Sequence, residues 1–206
     1  MLQLRKRIVA SLAVLSLVVM AFEAILVFGS WIITAIWPNY AVRSLLGNEG
    51  LRWLLGSFGD NVSTPFVVWI LLSGGMCGML HTSGLWQTVS RYKRTNDYER
   101  MALWIVGWEF VAMLVFVAFV AFVPHALLLS AVGTLFPGLF SHSIVLIIIC
   151  VGCIAAATYG CMVGKFRSAV DLFMAFNGGL AQTAPLVILY FATAEFYSSV
   201  VWVVNG

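Results

Sequence analysis

Four ionisable residues stand inside long apolar runs of this sequence, where chemistry that depends on a charge or a proton would be exceptional. They are Glu23, His81, Glu109 and Glu195. A charged side chain at the centre of a bilayer costs about 2.5–3.5 kcal/mol on insertion scales, so such residues usually face protein or water and often mark a pathway. We therefore treat all four as candidates for a proton or substrate pathway.

Depth along the apolar runs groups these residues into two expected pairs. At about 1.5 Å per residue, Glu23 and Glu195 each lie about 22 Å from the same, more cationic end of their runs. Two facing carboxyls in a low dielectric would share a proton, because both cannot ionise there at low cost. His81 and Glu109 lie about 8 and about 12 Å from that end, and they form the second expected pair.

A purely structural role for the acids is the alternative interpretation. Each Glu could be protonated and hydrogen-bonded to a neighbouring backbone carbonyl or hydroxyl, with no part in transport. The hydroxyl groups available near Glu195 belong to Thr193, Ser198 and Ser199. The residue types leave both interpretations open.

The elements that position these residues are predicted to be transmembrane helices. The chain is 62% apolar and 9% charged, with a mean hydropathy of +1.02, whereas soluble domains are about 45–50% apolar and about 25% charged. About 20 apolar residues span a hydrocarbon core as a helix, and lipid admits no unpaired backbone. We expect an all-α integral membrane protein, a single bundle over 1–206. Its five spans are predicted at 8–36, 64–86, 101–123, 143–164 and 180–204.

The distribution of Lys and Arg predicts the orientation of this bundle. Of the 11 cationic residues, all but Arg43 and Arg52 fall on one side of the predicted spans. Because cationic loops stay cytoplasmic, we expect the N-terminus inside and the C-terminus outside, in a cell inner membrane. The first span begins like a signal peptide, but its apolar run continues to residue 36, which favours an uncleaved helix. The net charge of +3 follows from topology and gives no reason to expect a nucleic-acid partner.

Two connecting segments, 41–58 and 166–176, have the apolar spacing of amphipathic helices. They are predicted either to lie along the membrane surface or to cover the ends of the bundle. Between the first of them and the second span, Asn61-Val62-Ser63 fits the glycosylation pattern, a motif too short to carry much weight alone.

Small residues recur every four positions on the second and fourth spans. Such lines allow helix backbones to approach closely, and they predict tight packing within the chain, in a homo-oligomer or against another membrane subunit. The residues concerned are Gly74 and Gly78 on the second span, and Gly152, Ala156, Gly160 and Gly164 on the fourth.

The residue patterns typical of enzymes and metalloproteins are not evident. Cys150 and Cys153 form a C-x-x-C inside an apolar span, but no His or second C-x-x-C completes a zinc pattern. Neither a Gly-rich phosphate loop nor a nucleophile elbow is found. We expect no enzyme, no metal and no cofactor.

Several short motifs resemble one transporter family. They are GMLHTSGL (78–85), ERMALW (99–104), YGCMVGKFRSAVD (159–171) and AQTAPLVILYFATAEF (181–196). Together they resemble the p-aminobenzoyl-glutamate transporter family. The matching positions in the last two motifs are Tyr159, Gly160, Gly164, Asp171, Pro185, Phe191 and Phe196. Glu195 stands where the family usually has Gln, and His81 stands where a Glu is usual.

The resemblance covers about residues 55–204 and implies a secondary-transporter-like protein. Members of the family are well over twice as long, and their two re-entrant hairpins have no counterpart in this sequence. The chain therefore resembles a reduced member built on the scaffold part, and no substrate-site residue of the family carries over to it. The resemblance implies a small anionic solute, and the buried acids suit proton coupling. The alternative is a non-transporting scaffold or accessory subunit that packs against another membrane protein.

Overall fold

The computed structural model describes residues 2–37, 42–92, 96–122 and 139–205. Over these ranges the chain is helical, with no strand. The helices are α1 (Leu2–Ile36), α2 (Asn48–Gly56), α3 (Phe58–Val62), α4 (Pro65–Ser83), α5 (Leu85–Ser90), α6 (Asp97–Phe122), α7 (Leu139–Met162) and α8 (Ala169–Val204). Lys93 and Arg94, used above to predict the orientation, lie outside the described residues, as does 123–138 in the third-to-fourth connection.

Five of these helices, α1, α4, α6, α7 and α8, are long and apolar enough to cross a membrane. The all-α fold class and the number of predicted spans are therefore confirmed. Large apolar side chains on the surface of α1 and α6, such as Leu17 and Trp108, are 65% and 68% exposed. Lipid is the solvent that such surfaces require. The orientation of the termini stays a prediction.

The last helix begins earlier than predicted. The segment 166–176, expected to be a separate amphipathic helix, instead leads directly into α8, which starts at Ala169. A capping box holds this start: Ser168 N donates to Asp171 Oδ2 at 3.0 Å, and Asp171 N donates to Ser168 Oγ at 3.3 Å. Pro185 lies inside the helix and removes one of its backbone hydrogen bonds.

The chain divides into two compact units. The first unit comprises Met1–Ile70 and Thr183–Gly206, and the second comprises Leu71–Gln182. The single bundle expected over the whole chain stays a prediction.

In the first unit, the segment between α1 and α4 is fastened to both α1 and α8. Leu45, which is fully buried, donates its backbone N–H to Ser30 Oγ on α1 at 3.1 Å. Trp53 of α2 stacks on Trp202 of α8 with ring centroids 5.4 Å apart. Leu55 of the same segment is not part of these contacts, and its side chain is 78% exposed. These contacts fix the position of α3, which contributes to the site described next.

In the second unit, the core combines small and large apolar residues from α4, α7, α8 and the segment before α8. Met79, Ala156, Phe166 and Ala175 form its buried cluster. Apolar side chains on α4, α7 and α8 pack around this cluster, and dispersion contacts replace the hydrophobic effect that lipid does not supply.

Candidate functional site

Two of the four ionisable residues line one cavity in the first unit. Glu23 projects from α1 and Glu195 from α8, and the cavity has a volume of about 330 Å³. The rest of its lining is apolar and includes the rings of Phe58 and Phe191. This places two carboxyl groups in one apolar compartment.

Glu195 is held from the side of α3. Asn61 Nδ2 donates to Glu195 Oε2 at 3.3 Å, and the Glu195 side chain is only 8% exposed. The connection between α3 and α4 is itself tied to α8, because the hydroxyls of Thr64 and Tyr190 are hydrogen-bonded. The position of the Asn61 amide thus depends on contacts at both ends of the short α3 helix.

Glu23 is held from the side of α8. Ser199 Oγ donates to Glu23 Oε1 at 2.6 Å, and Ser199 is fully buried. Glu195 and Ser199 are four residues apart, so they lie on the same face of a helix. One face of α8 therefore contributes a carboxyl to the cavity and a hydroxyl to the carboxyl that faces it.

One oxygen of each carboxyl has no hydrogen-bond partner in the described part of the chain. Glu23 Oε2 and Glu195 Oε1 are both buried, and within the described ranges neither accepts a hydrogen bond. A buried acceptor without a donor costs about 1–3 kcal/mol, and more if it is charged. A proton held between the carboxyls, or a donor supplied by a bound molecule, would remove this cost.

Two partners of these acids differ from the sequence-based expectations. Thr193, expected near Glu195, instead donates to Leu189 O at 3.0 Å in its own helix. Ser199, expected to donate a hydrogen bond to Glu195, donates one to Glu23 instead. Asn61 was noted only for its glycosylation pattern, and no sequence signal pairs it with an acid 134 positions away.

Comparison with known proteins identifies the family. The model of the AbgT putative transporter family, whose name abbreviates the p-aminobenzoyl-glutamate family considered above, matches residues 79–206, more than half of the chain. This chain belongs to the AbgT transporter family. Neither the search of curated proteins nor the search of solved structures finds a match. Within this AbgT protein, Glu195 and Ser199 lie inside the matched region, whereas Glu23 and Asn61 precede it.

The second predicted pair of this AbgT protein is not seen among the described residues. In the second unit Glu109 Oε1 accepts a hydrogen bond of 3.2 Å from Thr158 Oγ1 on α7. His81 is exposed on α4, and no contact between His81 and Glu109 is seen in the described part of the chain. Glu109 Oε2 is buried with no hydrogen-bond partner among the described residues. Glu109 is thus a half-buried acid with a hydroxyl partner rather than an imidazole partner.

Two of the glycines predicted to pack on α4 lie against α8 in the second unit. Gly179 lies against the Gly74 carbonyl, and a side chain added at Gly78 would meet Gly179 and the Ala175 carbonyl. These backbones approach so closely that no Cβ fits between them. Their partner is therefore a helix of the same chain.

Three of the four small residues predicted to pack on α7 also have partners within the second unit. Gly152 lies against the Met76 side chain, Gly160 lies against the Phe166 ring, and Ala156 is fully buried. The line of small residues on α7 accordingly packs against side chains of this chain.

Gly164 has a different role from the other residues of the predicted line. It has a φ of +75° just beyond the end of α7, and nothing lies within 4 Å of a side chain added there. Lys165 N donates to Gly160 O at 2.9 Å and Gly164 N donates to Cys161 O at 3.1 Å, the pattern of a Schellman motif. Gly164 therefore ends α7, and the packing role predicted for it is not seen.

Among the residues that the structure describes, no group of three or more His, Cys, Asp or Glu could hold a metal ion. What the first unit does offer is a pair of buried acids in an apolar cavity, an arrangement suited to binding a proton or a cationic group.

Proposed function

We propose that this AbgT-family protein is a proton-coupled secondary transporter of the cell inner membrane in which Glu23 and Glu195 hold the proton. Family membership supports transport, and the five apolar helices support a multi-pass location. The observation that carries the proton assignment is the pair of buried carboxyl oxygens, one on each acid, that have no donor in the described structure.

The hydrogen bonds around the two acids suit a proton that comes and goes. Ser199 donates to one oxygen of Glu23, and Asn61 donates to one oxygen of Glu195. Each carboxyl therefore keeps one fixed donor in either protonation state, and its other oxygen is available to a proton. Two carboxyls in one low-dielectric compartment favour retention of at least one proton, because full ionisation would place two like charges there.

The orientation that we propose is N-terminus inside, on the basis of the cationic residues. In that orientation the sequence positions of Glu23 and Glu195 predict a depth beyond the middle of the membrane from the cytoplasm. A site at that depth exchanges protons with one face of the membrane at a time only if the helices around it change their packing. Alternating access in secondary transporters supplies such a change.

A non-transporting scaffold or accessory subunit is the competing function. Its main support was the lines of small residues, which could have been docking surfaces for another membrane protein. In the second unit, however, Gly78, Gly152 and Gly160 contact residues of this same chain. These glycines are therefore occupied within one protomer, which weakens the case for a scaffold.

Proton movement in reconstituted vesicles tests the proposal. Purified protein is placed in liposomes with an entrapped pH-sensitive dye, and either an anionic aromatic amide or an aromatic amine is added outside. We expect one of these two probes to change the lumen pH faster than in protein-free liposomes. Glu195→Gln should abolish this difference. Glu49→Gln, which changes an exposed acid of α2 in the same way, should preserve it.

Two results would count against proton-coupled transport. The first is a lumen pH that responds to neither probe beyond the protein-free rate, and the second is an unchanged response in a correctly folded Glu195→Gln protein. Size-exclusion chromatography and the thermal midpoint establish folding. Glu23→Gln provides an independent variant if Glu195→Gln does not fold. Stable co-purification with a separate larger membrane protein, without proton movement, would favour the scaffold.

A further inference from the structure

We infer that the cavity between Glu23 and Glu195 binds a small aromatic amine in its protonated form. This inference rests on the proposed function, because it names the class of solute that the same site would carry. Two features of the cavity, its unpaired acceptors and its apolar lining, lead to this class independently.

The first feature is a surplus of acceptors over donors. The two donors that reach the acids, Ser199 and Asn61, are directed at Glu23 Oε1 and Glu195 Oε2. The remaining oxygens, Glu23 Oε2 and Glu195 Oε1, are buried and have no donor in the described structure. An ammonium group carries three N–H donors and a positive charge, which match buried acceptors of this kind.

The second feature is an apolar lining large enough for an aromatic ring. The cavity of about 330 Å³ falls within the range of small-molecule sites, about 300–1,000 Å³, and an engineered apolar cavity of about 150 Å³ accommodates benzene. Phe58, Phe191 and Ile188 line it. A ring would gain apolar contacts there, and aromatic side chains near the acids also attract a cation through their faces.

The electrostatics of this cavity disfavour the anionic solute that the family resemblance implies. Among the described residues that line it, none is Lys, Arg or His. A carboxylate solute would add a third acid to Glu23 and Glu195 in an apolar compartment, where like charges repel strongly. The amine reverses the sign of this interaction.

A bound amine and a shared proton compete for the same two oxygens. The titratable group that faces Glu195 from α1 is Glu23, while α3 presents the neutral amide of Asn61 and its Asp60 is exposed. When an ammonium group enters, it donates N–H bonds to the carboxyl oxygens, and the carboxyl proton leaves to solvent. The charge of the compartment is unchanged, since one positive charge replaces another. Amine binding should therefore weaken as the pH falls, by up to about tenfold per pH unit for one exchanged proton.

Three probes with the same ring and nearly the same length test this inference. Binding of 2-phenylethylammonium, 2-phenylethanol and phenylacetate is measured by calorimetry on the full-length protein in nanodiscs, with empty nanodiscs as the blank. We expect the ammonium probe to bind at least about tenfold more tightly than the alcohol, since its hydrogen bonds to the carboxyl oxygens are assisted by opposite charge. Phenylacetate should bind more weakly than the alcohol.

Variants and pH add independent readouts. Glu195→Gln should weaken binding of the ammonium probe at least about tenfold and change binding of the alcohol much less, because only the ammonium carries a charge that pairs with the carboxylate. Glu49→Gln should change neither. Lowering the pH from about 8 to about 5 should weaken the ammonium probe alone, in the direction that proton competition requires.

Several outcomes would overturn the inference. Equal affinity for the ammonium and the alcohol would show that Glu23 and Glu195 do not contribute to binding. Tighter binding of phenylacetate than of the ammonium would show an anion site. Both comparisons use the unmodified protein, so they hold even where a variant does not fold. If an anionic amide moves protons in vesicles while the amine does not bind, proton-coupled transport stands and this inference fails. If the amine binds but no probe moves protons, transport fails while the binding site stands.

Discussion

Ser199 Oγ on the last helix donates a hydrogen bond of 2.6 Å to Glu23 Oε1 on the first, across 176 positions of sequence. Ser199 is fully buried and lies one turn after Glu195 on α8. The same helical face therefore holds one acid of the cavity and donates to the other. The Glu23 carboxyl is thus joined to α8 by a direct hydrogen bond within the first unit.

Removing this hydroxyl should destabilise the protein. Ser199→Ala leaves Glu23 Oε1 without its donor, and we expect a loss of about 1–3 kcal/mol in the free energy of unfolding. Denaturant unfolding in mixed micelles measures this loss. Ser198→Ala at the neighbouring position is the control, with an expected change within about 0.5 kcal/mol. Equal effects of the two substitutions would remove the special role given to Ser199.

The pair of Glu109 and Thr158 should behave as an interacting unit in the second unit. Thr158→Val removes the donor to Glu109 Oε1 at nearly constant volume, and the expected cost is about 1–3 kcal/mol. Glu109→Met combined with Thr158→Val removes both partners, so the double variant should cost less than the sum of the single variants. A coupling of about 0.5–3 kcal/mol is expected from unfolding measurements on all four proteins. Strict additivity of the two substitutions would contradict an interaction between Glu109 and Thr158.

Gly78→Ala should disrupt the contact between α4 and α8 in the second unit. The added Cβ would overlap Gly179 and the Ala175 carbonyl, which are backbone atoms that cannot rotate away. We expect a cost of about 1–3 kcal/mol or more, as for overpacking in a core. Gly107→Ala on α6 is the matched control, because nothing lies within 4 Å of its added Cβ. Its higher helix propensity should leave stability unchanged or slightly raised, and similar losses at both positions would contradict the packing argument.

Substitutions at Gly164 should distinguish a helix terminus from a packing contact. Its φ of +75° disfavours a side chain, so Gly164→Ala should cost about 1–2 kcal/mol. Asn tolerates the left-handed region better than Ala does, and Gly164→Asn should therefore be less destabilising although it is larger. Thermal midpoints in detergent rank the two variants. The opposite order, with Asn worse than Ala, would indicate a packing role after all.

The membrane-spanning helices were predictable because their signal is local. Runs of about 20 apolar residues specify a spanning helix regardless of what it packs against, and five such helices are present. Their ends were less predictable. The last helix, α8, starts at Ala169 and not at the expected residue 180. Its start depends on the capping box of Ser168 and Asp171, which cannot be predicted from the length of an apolar run.

The partners of the buried acids were only partly predictable. Equal depth along two helices predicted that Glu23 and Glu195 could meet, and the structure places both at one cavity. The same reasoning expected His81 beside Glu109, yet Glu109 receives its hydrogen bond from Thr158. Depth along a helix determines only the height of a side chain in the bundle. The direction in which the side chain points depends on how the helix is rotated against its neighbours, which packing determines.

The sequence by itself determined that this protein is an all-helical membrane protein of the AbgT family and which residues are too polar to face lipid freely. Those properties follow from composition, run length and motif, and each is a property of neighbouring residues along the chain. Only the tertiary structure decided that Asn61 donates a hydrogen bond to Glu195 and that Ser199 donates one to Glu23. It also decided that Gly164 ends α7, whereas Gly78 lies at the contact between α4 and α8. A hydrogen bond between residues distant in sequence depends on helix rotation and spacing, which many packed side chains determine together.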